Sequence, residues 1–498
     1  MEWTREMKYR RIEDIDAMQY ETLKINTENA AWRQKYHIQP VTGLLNDPNG
    51  FIYHDGMYHL FYQWFPLGAV HGMKYWYHLV SKDLVCFESD DRTVDPDTRY
   101  DSHGAYSGSA FVVDDEIKLI YTGNHRTKEW TRIPYQIIAT LTEDGVIKEK
   151  PFIEGPEEGY TEHYRDPKVW KMHGKYYAVI GAQRDNLTGT IVVYSSLDFK
   201  EWLFEGELKT RYENFGYMWE CPDYFNIDGN DIVLFCPQGV EAQDDAYRNI
   251  YQSGYIIGAI DFNTLTMTHS NFEELDNGFD FYAPQTTVGR NDERILIGWM
   301  GLPDIHYPTD KDDWAHCLTL PRVLTVENGE LIQRPIKALA SRRMNSETKT
   351  IEVSQEQAIF TGKYYELLVY IESLSAEVLN IDLRVSDEEY TRLSYHTRTR
   401  SFIFDRTYSG ALPENVEDTR RATVLKDDLK QLQIFVDESS VEIFINDGAN
   451  VFTSRIFPSE DSDGVRVSSS DGQAKLTITK FNLKEGISCQ NSMLSVKH

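Results

Sequence analysis

The chain has 498 residues, 41% of them hydrophobic, and carries 79 acidic against 51 basic side chains for a net charge of −28. A field of that sign repels nucleic acid and anionic membrane surfaces and argues against both as partners, while leaving a small ligand open. The five cysteines (Cys86, Cys221, Cys236, Cys317, Cys489) are scattered and odd in number, with no Cys-x-x-Cys, so neither a disulfide frame nor a zinc site or other metal centre is expected.

The length predicts two domains. Residues 1–36 are rich in Glu, Lys, Arg, Met and Ala and contain no Pro or Gly, which predicts one or two amphipathic helices packed outside the first domain. The charged start, Met1 to Arg10, lacks the apolar stretch of a signal peptide, and no apolar run is long enough to span a bilayer; a cytoplasmic location is expected.

From residue 37 to 326 a motif recurs five times: a polar or turn-forming head, an apolar run, a tight turn and a second apolar run. The heads are Asp47-Pro48, Ser107-Gly108, Asp166-Pro167, Pro222-Asp223 and Pro284-Gln285, and the turns are Asp55-Gly56, Asp114-Asp115, His173-Gly174, Asp228-Gly229 and Asn291-Asp292. Measured from Asp47 through Gly108, Asp166 and Asp223 to Gln285, the gaps are 61, 58, 57 and 62 residues. Two β-runs joined by Asp-Gly or His-Gly signal a hairpin, and about 60 residues suit one four-stranded propeller blade. The expected fold class is all-β: a short helical segment, then a five-bladed β-propeller, then a C-terminal β-sandwich.

Gly301 to Asp313 reads as a loop, and residues 327–345, with Pro335 at a plausible first helical turn, as a linker. From 346 to 498 short β-runs alternate with polar turns, including 365–371, 378–385, 401–405, 433–436, 441–445, 451–457 and 474–481. This texture predicts the sandwich, assigned to packing, assembly or carbohydrate contact and not to chemistry.

Taken singly, Asn46-Asp47-Pro-Asn-Gly50, Arg165-Asp166-Pro167 and Glu220-Cys221-Pro222-Asp223 are ordinary turns or strand starts. Their recurrence at matching repeat positions changes the reading, because inner strands of a propeller bring such positions together. Three carboxylates on one channel repel one another and raise at least one pKa, and glycoside hydrolysis uses a low-pKa carboxylate with a raised-pKa partner.

His37-Ile-Gln-Pro through Asp47-Pro-Asn-Gly50, Tyr58-His-Leu-Phe-Tyr-Gln63, Tyr106-Ser-Gly-Ser109, Tyr121-Thr-Gly123, Arg165-Asp166-Pro-Lys168, Glu220-Cys-Pro-Asp223, Phe281-Tyr-Ala-Pro-Gln285 and Gly298-Trp-Met300 together resemble glycoside hydrolase family 32, the β-fructofuranosidases. Asp437 to Asn446 resembles a strand pair of that family's C-terminal sandwich. The resemblance implies Asp47 as nucleophile, Glu220 as acid/base and Asp166, with Arg165, as transition-state stabiliser. It implies a fructosyl pocket lined by Leu44, Leu45, Asn46, Gln63, Trp76, Tyr106, Ser107 and Arg165, with no cofactor and no metal. Leu44 stands where many members have Trp, Tyr75-Trp76-Tyr77-His78 where many have Trp-Gly-His, and Cys86-Phe87-Glu88 in place of a common Trp-Glu, which affects the assignment of sugar-stacking rings.

The Leu-Leu-Asn-Asp form, with Gly68 to Trp76 and Asp101 to Gly108, most resembles bacterial members acting on sucrose 6-phosphate. That implies cleavage of sucrose 6-phosphate, or sucrose, to a glucose unit and fructose. A phosphate needs cationic partners at the leaving-group end: His71 and Lys74 first, then Arg126, Arg132 and Arg248. His78 and His103 are expected to be structural. The alternatives are an exo-acting fructan hydrolase, a pentose-specific propeller glycosidase and a non-catalytic carbohydrate-binding propeller; the last loses ground because all three acids are present. The partner is a small sugar, with homo-oligomer formation left open.

Overall fold

The computed structural model describes residues 3–414, 416 and 418–486; the outermost ends of the expected first and last domains, and Cys489, lie outside the described residues. Helices are few and short: Arg5–Lys8, a 3₁₀ turn at Ile12–Asp14, and Ala17–Glu28. Thr4 and Asp16 cap the two α-helices, accepting from the amides of Met7 and Met18, as N-cap oxygens do. No helix among the described residues is long and apolar enough to cross a membrane.

Seven sheets make up the rest. Five, of four or five strands each, follow one another in sequence between Gly43 and Pro335, and two six-stranded sheets occupy Arg343–Leu483. In four of the five the first hairpin closes through two residues, at Asp55-Gly56, Asp114-Asp115, His173-Gly174 and Asp228-Gly229. Both residues of each turn have positive φ, the type I′ geometry that matches strand twist. The fifth differs: Val288 pairs with Arg294, so Asn291-Asp292 lies within a five-residue loop.

The first strands, Gly43–His54, Ala105–Val113, Tyr160–Met172, Met218–Ile227 and Tyr282–Val288, lie side by side in cyclic order, and the fifth returns to the first. Each carries a register irregularity at the same place, the head of its repeat: between Leu45 and Pro48, Ala105 and Gly108, Arg165 and Lys168, Glu220 and Asp223, and Tyr282 and Gln285. A bulge re-aims side chains that regular alternation would send to the faces. Here five bulges turn polar side chains toward a common centre.

Buried polar bonds tie these strands together. The Asn49 side chain accepts from the Gly108 amide (2.9 Å), Asp223 accepts from the Thr286 amide (2.9 Å), and Gln285 donates to the Gly108 carbonyl (2.6 Å). Lys168 spans the centre, pairing with Asp223 (3.0 Å) and donating to the Thr286 carbonyl (2.6 Å). At the seam, Gly43 and Leu44 pair in parallel with Trp314 and Ala315, joining the end of the fifth repeat to the start of the first.

The strand Glu330–Pro335 pairs with Arg322–Glu327 and completes the fifth sheet. Most of the stretch read as linker is therefore strand, and the connection shrinks to the 3₁₀ turn Lys337–Arg342. The C-terminal sheets enclose a separate apolar core around Leu367, Ile381, Phe404, Ile443 and Leu476. Their contact with the first half is buried and joins apolar packing of Phe435, Phe444 and Leu483 to ion pairs: His37 lies between Asp437 (2.8 Å) and Glu442 (3.0 Å), and Arg322 between Glu442 (2.8 Å) and Asp276 (3.1 Å).

Candidate active site

Asp47, Asp166 and Glu220, from three different sheets, line one pocket of about 270 Å³. Asp47 sits in the first bulge. The Ser107 hydroxyl donates to its Oδ2, and Asn46 Nδ2 to its Oδ1 at 3.0 Å. Asn46 also donates to Gln63, whose Nε2 donates to Ser107 at 3.0 Å, and Lys74 Nζ donates to Asn46 Oδ1 at 2.7 Å. The carboxylate is thus held by a closed set of buried donors that fixes its orientation.

Asp166 adopts φ +69°, a left-handed conformation that a non-glycine residue accepts only at a cost. It turns the carboxylate onto the Cys221 amide (2.9 Å), with the Cys221 thiol 3.6 Å from Oδ2 of both Asp166 and Asp47. Glu220, just before the fourth bulge, receives Arg165 Nη2 at 2.6 Å and Nε at 2.9 Å on one oxygen, and Gln238 (2.8 Å) and the Tyr282 hydroxyl (2.7 Å) on the other.

Burial pushes the Asp166 carboxyl up to about 7, aided by Glu220 and Asp47 and opposed by Arg165. Burial also raises Asp47, with Glu220 adding to the shift and Ser107, Asn46 and Lys74 opposing it. Burial pushes the Lys74 ammonium down to about 7 against the pull of Asp47. The Arg165 guanidinium, although buried, is held above its ordinary range by Glu220 and Asp166.

Of the residues read from sequence as sugar-binding, Asn46, Gln63, Tyr106, Ser107 and Arg165 line the pocket; Leu44, Leu45 and Trp76 do not. Leu44 and Leu45 are buried in the apolar core, where bulge geometry sends only Asn46 and Asp47 inward. Trp76 is fully buried, its indole N–H donating to the Tyr106 carbonyl at 3.1 Å, so it supports the pocket from behind. Arg165 pairs with Glu220 and not with its chain neighbour Asp166.

His71, Lys74 and Arg132 line the pocket. Arg126 stands beside Arg132 on the facing strand, whereas Arg248 is paired with Asp418 (2.7 Å) away from it. His78 and His103 are bonded to Asp90 (2.7 Å) and Ser102 (2.9 Å) and do not line the pocket.

Sequence reading missed Tyr9, His163, Gln238, Tyr282, Trp299 and Pro303 on the pocket wall. Tyr282 stands two residues before the fifth repeat head, Pro284-Gln285, and was discoverable by position. Tyr9 was not: the N-terminal segment, expected to pack outside, reaches the pocket because the Met73 amide donates to the Lys8 carbonyl (2.7 Å) and Trp3 packs on Phe65.

Residues 37–335 match the N-terminal domain model of glycosyl hydrolases family 32, and residues 335–485 match that family's C-terminal model. A sucrose-6-phosphate hydrolase of Staphylococcus xylosus is 51% identical over 97% of this chain and 99% of its own length. The structure of sucrose-6-phosphate hydrolase from Lactobacillus gasseri superposes with a TM-score of 0.91 at 38% identity, covering 98% of this chain and 100% of that one. A Bombyx mori GH32 β-fructofuranosidase mutant in complex with sucrose gives 0.83 at 30% identity, covering 95% and 99%.

Proposed function

The chain belongs to glycosyl hydrolases family 32, and from that premise we propose that it hydrolyses the β-fructofuranosyl bond of sucrose 6-phosphate with retention, releasing glucose 6-phosphate and fructose. The observation that carries this reading is the meeting of Asp47, Asp166 and Glu220 in one pocket, each held differently. The substrate follows the relatives from Staphylococcus xylosus and Lactobacillus gasseri, both named sucrose-6-phosphate hydrolases and matched over nearly their whole lengths.

In this mechanism the Asp47 carboxylate attacks C2 of the fructosyl unit while the C2–O bond breaks and Glu220 gives its proton to the leaving oxygen. Glu220 then takes a proton from water, whose oxygen attacks C2 and frees Asp47. Asp166 holds fructose hydroxyls as positive charge develops at C2. Burial pushes the Asp166 carboxyl up to about 7, and the reaction needs a negative charge on Asp166 and a proton on Glu220 once substrate is bound.

The five sheets from 43 to 335 are read as blades of a propeller, supported by the cyclic order of their first strands and the parallel seam at Gly43 and Trp314. The two six-stranded sheets are read as the sandwich. A pocket of about 270 Å³ with the N-terminal segment on its wall suits a disaccharide better than a polymer. The test is kcat/KM for sucrose 6-phosphate and for sucrose in one buffer, with the anomer first released read by NMR. A preference of about tenfold or more, or about 1.4 kcal/mol of transition-state binding, with β-fructofuranose appearing first, supports the reading. Equal rates make the enzyme a general β-fructofuranosidase, and inversion removes Asp47 as nucleophile.

A further inference from the structure

Beside the pocket the second sheet and the N-terminal segment bring together cations that have no counter-ion among the described residues. Arg126 and Arg132 end the strands Glu116–Arg126 and Arg132–Thr142 as directly opposed residues. Like charges facing across a strand pair destabilise it unless something negative lies between them. Among the described residues no carboxylate lies within ion-pairing distance of either, and the Nε of both is buried without an acceptor. Among the described residues the Arg126 guanidinium donates only to the Trp130 carbonyl, at 3.1 Å, and lies 5.6 Å over the Trp130 ring. The Arg132 guanidinium has no hydrogen bond among the described residues and rests 5.6 Å over the Tyr106 ring. Arg5 adds a third guanidinium, 4.3 Å over Trp130 and without an ion pair among the described residues.

Acids outnumber bases 79 to 51, and the pocket's other arginine, Arg165, like the buried Arg322 and Arg406, holds a carboxylate. Other buried arginines without a carboxylate, such as Arg384 and Arg455, donate instead to backbone carbonyls, which the Arg132 guanidinium does not do. Two opposed arginines left bare in so acidic a chain mark a place for an anion from outside.

Their side of the pocket is also the right one. Arg165 Nη1 bonds His163 at 3.0 Å, while the same guanidinium grips Glu220, and burial together with Arg165 and Arg132 pushes His163 down to about 4. Arg132, His163, Arg165 and Glu220 therefore follow one wall, and the group that protonates the leaving oxygen must face the leaving sugar. Lys74 is tied instead to Asn46 beside Asp47.

We propose that Arg132 and Arg126, with Tyr9 carried in by the N-terminal segment, seat the 6-phosphate of the leaving glucose unit, an inference that rests on the substrate reading above. Guanidinium forks match phosphate oxygens two at a time, so one dianion relieves the repulsion between the pair. The segment before residue 37 then acts in specificity through Tyr9, whose ring packs on His103 and Trp130 at 5.5 and 5.2 Å.

The experiment measures kcat/KM for sucrose 6-phosphate and sucrose in the wild type, Arg132→Gln, Arg126→Gln and Lys74→Met, and inhibition of sucrose hydrolysis by glucose 6-phosphate, inorganic phosphate and glucose. Each arginine variant should lower the ratio of the two kcat/KM values by about 10- to 100-fold and weaken inhibition by glucose 6-phosphate similarly. Inhibition by glucose should not follow. Inhibition by inorganic phosphate alone would mean an anion seat that does not read the sugar, and would overturn the proposal. Thermal unfolding separates a structural role: removing one of two opposed cations should leave Tm unchanged or raise it.

A preference retained in both arginine variants but lost in Lys74→Met overturns the seat while the substrate reading stands. A wild type with no preference overturns the substrate reading. Calorimetric titration with glucose 6-phosphate then decides the seat: binding abolished by Arg132→Gln supports it, and no binding to the wild type overturns it.

Discussion

Arg165 grips Glu220, Nη2 to Oε1 at 2.6 Å, although the acid next to it in the chain is Asp166. The bulge at Asp166-Pro167 separates the neighbours: with φ at +69°, Asp166 turns to the Cys221 amide while Arg165 reaches across to the fourth sheet. Arg165 thus bridges two sheets and orients the proposed proton donor.

Replacing that fork by a single ammonium should cost much of its effect. Arg165→Lys is expected to lower kcat/KM by about 10- to 100-fold with little change in Tm. Steady-state kinetics and thermal unfolding check this, and unchanged kinetics would remove Arg165 as the positioning residue for Glu220.

Asp47 and Glu220 should separate by leaving group. Asp47→Ala is expected to remove activity by at least about 10⁴-fold on every substrate. Glu220→Gln should slow sucrose 6-phosphate by about 10²- to 10⁴-fold but an activated aryl or fluoride fructoside much less. Equal loss on both kinds of substrate would count against Glu220 as the acid.

Asp166, raised to about 7 by burial, Glu220 and Asp47, must be anionic to hold fructose hydroxyls against developing positive charge. Activity limited by it rises as pH increases through that value. Removing the Glu220 charge removes a like-charge neighbour, which favours the ionised form of Asp166. In Glu220→Gln the residual activity on an activated fructoside should therefore show its acid limb below the wild-type position. A limb that stays or moves upward contradicts this assignment.

His37 links the two halves and makes their union pH-dependent. Burial opposes its charge, but the bonds from Asp437 and Glu442 hold it up to about 9, above the ordinary histidine value of about 6.5. Its contribution is complete below about 6.5 and disappears as pH rises through about 9. Asp437 and Glu442, although buried, are held below their ordinary range by His37, with Arg322 adding to Glu442, so their contribution disappears as pH falls through those lowered values. His37→Gln should lose about 3–5 kcal/mol near pH 6, with the difference from wild type shrinking above pH 9. Denaturant unfolding at several pH values measures it.

Cys221, against two carboxylates, has its thiol pushed well above the ordinary range, by a contact with Cys236 first and then by burial and both acids. The thiolate is the reactive form. Iodoacetamide at pH 8 should leave activity intact and, among Cys86, Cys221, Cys236 and Cys317, label the exposed Cys86. Rapid inactivation with label on Cys221 would contradict the buried geometry.

The repeat and its turns were legible because they are local. Positive φ at Asp55-Gly56 or His173-Gly174 is written in the residue types, and apolar alternation needs no distant partner. The second half is less legible. The strands Arg343–Val353, Gln357–Thr361, Tyr390–His396, Arg420–Val424 and Gly464–Ser470 lie outside the β-runs that the sequence pattern marks. Several carry charged or threonine side chains on an open face, which blurs the period-two signal.

What the sequence determined by itself was the all-β character, the period near 60 residues and the acids at the repeat heads. The tertiary structure alone decided which of their neighbours matter. Leu44, Leu45 and Trp76 lie beside pocket residues in the chain yet point into the core or behind the wall, while Tyr9 and Tyr282 come to the pocket from far away. The pairing of Arg165 with Glu220, and the lack of a carboxylate for Arg132 among the described residues, follow from bulges and sheet order. A side chain's partner depends on where distant strands place their charges, and no local pattern of residues encodes that distance.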